Sequence, residues 1–232
     1  MTFSISARCS TNGQFGIAIS SSSPAVAARC AHVRAGVGVV ATQNVTDPRL
    51  GPAALDLMAS GLSARAALDE LAAARAHMDH RQLAAVDAAG RGAIWSGRRT
   101  LGVYAGAEGR DCVAAGNLLA HEGVPLAMVE AFEASGEDMG TRLLAALAAG
   151  LAAGGEAGQV HSAGLLIVEA QAWPMTDLRV DWSQTDPIAE LQALWQLWRP
   201  QMHSYIQRAL DPEGAPAFGV PGDPDFGQQA VP

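Results

Sequence analysis

Segments of period two and segments of period 3.6 arrive along this chain in blocks, and their order is the tightest constraint on its fold. Strands are followed by a helix pair, strands by a second helix pair, and strands by a last helix. A dinucleotide-binding fold would alternate strand and helix one for one, and no such repeat occurs. Blocks of this kind argue for an α+β fold of two antiparallel sheets facing each other, with helices on both outer faces, in four αββα layers.

The first run, Thr2-Phe3-Ser4-Ile5-Ser6-Ala7, alternates polar and apolar residues and predicts a strand over 2–8. It meets a second alternating run at 15–19 across Asn12-Gly13, a tight-turn pair, so a hairpin presents the start of the chain. A β-branched, glycine-flanked strand is expected over 36–43, then helices over 52–60 and from the N-cap Ser63 onward. Strands follow at 82–87, 92–96, 101–104 and 112–115, which together suggest a second antiparallel block. Helices at 124–134 and 141–153 precede strands at 163–169 and 175–181. The last helix starts with Asp186 as N-cap and Pro187 in its first turn, and a stripe from Ile188 through Trp195 and Trp198 to Tyr205 marks a core or subunit face.

With 232 residues, 49% of them hydrophobic, the chain can bury a large core, and we expect one domain over 1–210. Residues 211–232, rich in proline and glycine, are expected to form a tail. A net charge of −8 without any basic run argues against nucleic acid as a partner. All 15 basic residues are arginines, so lysine bases and Schiff-base lysines are excluded. Three widely spaced cysteines give no disulfide framework and suit a reducing cytoplasm. The alanine-rich stretch 143–153 is too short to span a bilayer, so no membrane role is expected.

Position makes Thr2 the first candidate for chemistry. A small second residue lets the initiator Met1 be removed, which leaves a hydroxyl and a free α-amine on one residue. An α-amine titrating near 7.7–8.0 is roughly 10–20% neutral at pH 7, so it can serve as the base for its own hydroxyl. Against this stands the plain fact that many cytosolic chains begin Met-Thr without catalysing anything.

Several segments resemble a known family: Met1-Thr2-Phe3-Ser4-Ile5, Ala35-Gly36-Val37-Gly38, Ala41-Thr42-Gln43, Arg81-Gln82-Leu83, Gly116-Asn117, Gly154-Gly155-Glu156, His161-Ser162-Ala163 and Asp177-Leu178-Arg179-Val180-Asp181. In order and spacing they resemble the bacterial Domain of Unknown Function 1028 family over nearly all of residues 1–210. The layout also looks like the wider N-terminal nucleophile hydrolases. That resemblance implies a nucleophile at the processed N-terminus and hydrolysis of an amide-type C–N bond. The chain departs from proteasome-like members of that class in two places: it has no lysine, and Ser20 or Ser21 stands where a charged residue is usual.

The remaining candidates follow from the chemistry such a reaction needs. Asn117 offers an N–H to a developing oxyanion or is simply a turn asparagine; Gln43 and Asn44, at a strand exit, are similar candidates. The resemblance implies that Ser162 orients the α-amine and His161 donates a proton, while the hydroxyl of Ser20 or Ser21 can bond the amine and Ser21 is a candidate substrate contact. Arg34 and Arg81 are the candidates for holding a substrate carboxylate, although Arg81 suits a helix C-terminus equally well. His77 and His80 have the spacing of a metal pair but lack a third ligand, so no metal and no cofactor are expected. Cys9 shares a strand face with Ile5 and Ala7 and is expected in the core.

These expectations amount to a cytoplasmic amidohydrolase acting through Thr2 on a small, carboxylated amide, ureide or cyclic imide. It is expected to form a homodimer or larger oligomer through the Trp195/Trp198 helix. The rival expectations are a noncatalytic binding member of the fold and an assembly subunit.

Overall fold

Polar residues at every second position of the first strand divide its two faces between different environments, and the sandwich is built on that division. The computed structural model describes residues 2–221. Strands β1 (Thr2–Arg8), β2 (Phe15–Ser21), β7 (Ala105–Gly109), β8 (Cys112–Asn117), β9 (Ser162–Val168) and β10 (Thr176–Val180) form a six-stranded sheet in the order β10-β9-β2-β1-β8-β7. Strands β3 (Ala31–Arg34), β4 (Gly38–Asn44), β5 (Arg81–Asp87) and β6 (Gly92–Ser96) form a four-stranded sheet in that order. All the pairings are antiparallel.

Phe15, Ile17, Val39, Ala41, Ala84, Val86, Val113 and Ala115 meet between the sheets. On the outer face of the four-stranded sheet, α2 (Leu50–Ala59) and α3 (Ala64–Ala74) pack Leu50, Leu55, Leu68 and Leu71 against Val40, Leu83 and Ala85. Helices α4 (Val124–Ala134) and α5 (Met139–Ala152) cover the other sheet, contacting β1, β2, β7, β8 and β9. The result is the expected four-layer αββα sandwich. Ser63 caps α3 by accepting from the Ala66 N–H, and Asp138 caps α5 by accepting from the Thr141 N–H.

The fold differs from the sequence expectations at several places. Residues 101–104 lie outside any strand: Gly102 has φ +61°, and the strand begins instead at Ala105. The β7–β8 hairpin joins β1 in the first sheet rather than extending the β5–β6 block. A five-residue helix, α1 (Val26–Cys30), and the short strand β3 had too few residues to show a period. Cys9 sits past the end of β1, half-buried in the hairpin turn with its Sγ 3.0 Å from Thr11 Oγ1, so it is not a core strand residue.

The last apolar stripe is also broken. Helix α6 (Pro187–Trp198) stops before Pro200, which cannot continue a helix, and α7 (Met202–Leu210) begins anew. Contacts divide the chain into one unit through Trp195 and a second from Gln196. Within the first, Trp195 is 1% exposed and donates its ring N–H to Thr141 Oγ1 at 3.1 Å. An added Cβ at Gly140 would meet the Trp195 ring at 2.4 Å, so the indole fills a slot that only glycine leaves open. That ring is spent on the chain's own core and is not available to a subunit contact. Within the second unit, Trp198 packs on Tyr205 with ring centroids 5.1 Å apart, and the Arg208 guanidinium lies over the rings of Tyr205 and Phe218. Arg208 also donates to the carbonyls of Pro216 and Ala217, which draws the start of the expected tail onto α7. Residues 222–232 of that tail lie outside the described residues. No helix among the described residues is long and apolar enough to cross a membrane.

Candidate active site

At one end of the sandwich the inter-sheet layer turns from apolar to polar. On the six-stranded sheet, Thr2 lies opposite Asn117 of β8, and Ser21 of β2 lies opposite Ser162 of β9. Thr2 Oγ1 is 3.5 Å from Ser21 Oγ, which joins the four side chains into one transverse row, Ser162-Ser21-Thr2-Asn117. Facing it across the layer is a row on the other sheet, where Gln43 pairs with Gln82 and Gln82 with Ser96.

These rows are wired together. Ser4 Oγ donates to Gln43 Oε1 at 2.9 Å, and Gln43 Nε2 donates to Gln82 Oε1 at 2.9 Å. Asn117 Nδ2 donates to the same Gln82 oxygen at 3.1 Å, while Gln82 Nε2 donates to Ser96 Oγ and to the Gly116 carbonyl. Ser4, Gln43, Gln82 and Asn117 have no exposed surface, and Thr2 is 5% exposed. A buried amide without partners costs on the order of 1–3 kcal/mol, and this mutual satisfaction offsets that cost.

Thr2, Ser21, Gln43, Asn117 and Ser162 are thus brought together, as the sequence suggested, but several have duties it did not suggest. Ser162 Oγ donates to the Ser23 carbonyl at 2.6 Å and accepts from the Val26 N–H, so it pins the turn between β2 and α1 rather than orienting an amine. Ser21 Oγ accepts from the Ser23 N–H at 3.0 Å as well as meeting Thr2. Asn117 gives one amide hydrogen to Gln82, and its Oδ1 is buried without a partner. His161 lies beside the start of β9, with Nδ1 2.8 Å from the Ser183 carbonyl and its ring stacked on Trp182 at 4.3 Å. Because a carbonyl can only accept, that contact makes Nδ1 a nitrogen that carries a proton.

The two arginines and Asn44 are engaged within the protein itself. Arg34 sits opposite Gly38, five residues from Gln43 along β4 and hence about 16 Å away, with its guanidinium on Asp56 at 2.8 Å. Arg81 donates to the Val45 carbonyl, so it fastens the chain leaving β4. Asn44, at φ 71°, donates to the His80 carbonyl at 2.6 Å and accepts from the Leu101 N–H, tying two loops to the strand end. His77 and His80 line a cavity of about 470 Å³ with Arg75, Asp79, Trp95 and Arg99. Among the described residues no cluster of three His, Cys, Asp or Glu side chains could hold a metal ion.

Sequence reasoning missed Glu156 as a site residue. Its Oε1 accepts from the Ser22 N–H at 3.0 Å, and its Oε2 is buried without a partner. Burial pushes this carboxyl up to about 7, opposed by hydrogen bonds from Ser22 and by positive charge at the amino terminus and at His161. The only signal in the sequence was its place beside Gly154-Gly155. Gln82 was missed too, although a polar residue two positions before the inward-facing Ala84 and Val86 was legible as a break in an apolar face.

A model of the family of unknown function DUF1028 matches residues 2–191. The chain belongs to this family. A crystal structure of a DUF1028 protein from Silicibacter pomeroyi superposes with a TM-score of 0.79 at 30% identity, covering 84% of this chain and 88% of that one. The Anbu (ancestral beta-subunit) protein from Yersinia bercovieri gives a TM-score of 0.40 at 9% identity, covering 88% of this chain and 97% of that one, too distant to carry an argument. No curated protein matches. Family membership thus brings the sandwich with it and leaves the chemistry of this DUF1028 member to be argued from its own residues.

Proposed function

We propose that this protein is an N-terminal nucleophile hydrolase that cleaves the C–N bond of a small amide, ureide or cyclic imide through Thr2. The observation that carries the reading is the place of Thr2 in the polar row: first residue of a strand central to its sheet, side chain in the inter-sheet layer, hydroxyl 3.5 Å from Ser21 Oγ. With Met1 removed, the Thr2 α-amine takes the hydroxyl proton as the oxygen attacks the carbonyl. The amine then delivers that proton to the leaving nitrogen as the C–N bond breaks, leaving an ester on Thr2. Water, deprotonated by the same amine, hydrolyses the ester and restores the hydroxyl. The second Asn117 amide hydrogen is the candidate donor to the developing oxyanion.

Arg34 and Arg81 no longer support a carboxylated substrate, because one is distant and the other is bonded to the backbone. A noncatalytic binding role is the second reading, favoured by the number of polar groups here already committed to one another. A library of amides, ureides, lactams and cyclic imides separates the two. Turnover by the mature protein that is lost in Thr2→Ala supports hydrolysis, equal turnover by both refutes Thr2 as nucleophile, and saturable binding without turnover favours the second reading.

A further inference from the structure

Strand β1 lies between β2 and β8 and starts at Thr2, opposite Asn117. β2 ends at Ser21 and β8 at Asn117, and the chain beyond each of them meets Glu156. Beyond β8, Leu119 forms an antiparallel bridge with Glu156, the Ala120 N–H donates to the Gly155 carbonyl at 3.0 Å, and the Ala157 N–H donates to the Leu118 carbonyl at 2.9 Å. Residues 155–157 therefore continue the line of β1 upstream of Thr2, with Glu156 two pairing steps ahead of it, a strand spacing of about 7 Å. Beyond β2, the Ser22 N–H donates to Glu156 Oε1 at 3.0 Å. The carboxyl bridges the gap in the sheet that the beginning of β1 leaves.

We infer that the Glu156 carboxylate is the acceptor for the α-amine that Thr2 exposes once Met1 is removed, and so a positioning residue for the terminal nucleophile. This rests on the N-terminal reading given above. Glu156 is 5% exposed and its Oε2 lacks a partner, which leaves a buried acceptor ahead of the start of β1, where a new cation would be created. A buried carboxylate with one idle oxygen is costly, and an ammonium group alongside it satisfies both charges. No arginine or histidine among the described residues forms an ion pair with Glu156, and His161 is the charged side chain that bears on it. The chain has no lysine that could fill this place. A partner of opposite charge holds the amine on the side of Thr2 from which it can reach the hydroxyl.

The absence of lysine makes the test unusually clean, since reductive ¹³C-methylation of the full-length mature protein tags its α-amine alone. Titration of that single resonance by NMR is compared between wild type and Glu156→Gln. Loss of the neighbouring negative charge is expected to lower the amine pKa by about one unit. Superimposable titration curves in a folded Glu156→Gln protein overturn the pairing. Should that variant not fold, the wild-type amine is titrated in native buffer and in denaturant; a higher value in the folded state is expected, and an equal or lower one overturns the proposal. Neither readout needs turnover, so an amine shift in a protein that hydrolyses nothing would refute the hydrolase and leave the pairing standing.

Discussion

The middle of the inter-sheet layer and its polar end are made by the same strands in the same register, yet they are held together by different physics. In the middle, Ile17, Val39, Ala41, Ala84, Val86, Val113 and Ala115 bury apolar surface, which is non-directional and tolerates repacking. At the end, Thr2, Ser21, Gln43, Gln82 and Asn117 depend on hydrogen bonds that fix each donor on one acceptor. An apolar end would cost less, so the polar one is where this fold gives up stability for something specific.

Substitutions in each region put that contrast to the test. The largest effect is expected from Thr2→Ala, which should lower turnover of a hydrolysed amide by roughly 10³-fold or more while leaving urea unfolding near wild type. Ile17→Ala, in the apolar middle, should do the reverse: a loss of about 2–5 kcal/mol in chemical denaturation with an unchanged amine titration. Gln82→Leu should cost about 2–4 kcal/mol by the same measurement, because it strands the amides of Gln43 and Asn117 together. If Gln82→Leu proved neutral, the distinction drawn here between the two regions would fail.

Acidity offers a finer probe. The Glu156 carboxyl lies near 4.5 when solvated and about 7 in the fold, so the folded state holds its proton more tightly than the unfolded chain does. Its contribution is therefore most favourable below pH 4.5 and is lost as pH rises to about 7. Relative to Glu156→Gln, the chain that still carries Met1 should lose on the order of 2–3 kcal/mol across that window in urea titrations; parallel pH profiles would contradict the burial argument, and removal of Met1 should shrink the loss by placing an ammonium beside the carboxyl. Arg34→Ala should matter least, with a change within about 1 kcal/mol and the same KM, since its ion pair with Asp56 is exposed and remote from Thr2.

Much of this was legible in the sequence. Alternation in β1 and the Asn12-Gly13 turn fixed the first hairpin, and Ser63 marked the start of α3. The cluster of Thr2, Ser21, Gln43, Asn117 and Ser162 was anticipated as residues. Their connections were not, because hydrogen-bond partners such as Gln82 and the Ser23 carbonyl depend on pairings that local pattern does not encode. Arg34 was misplaced for a related reason: β3 was invisible, so its distance from Gln43 along the sheet had no ruler. The helix after Asp186 was drawn too long because the apolar stripe continues through Pro200, where the backbone cannot. Glu156 escaped notice because its importance comes from an isolated bridge between two loops.

The most direct test of the account is peptide mapping by mass spectrometry after the purified full-length protein is treated with a β-lactone, an electrophile that acylates hydroxyl nucleophiles. The account predicts a first peptide that starts at Thr2 and carries one acyl group on that residue. Met1 retained on every chain, or an acyl group confined to a different residue, would contradict it.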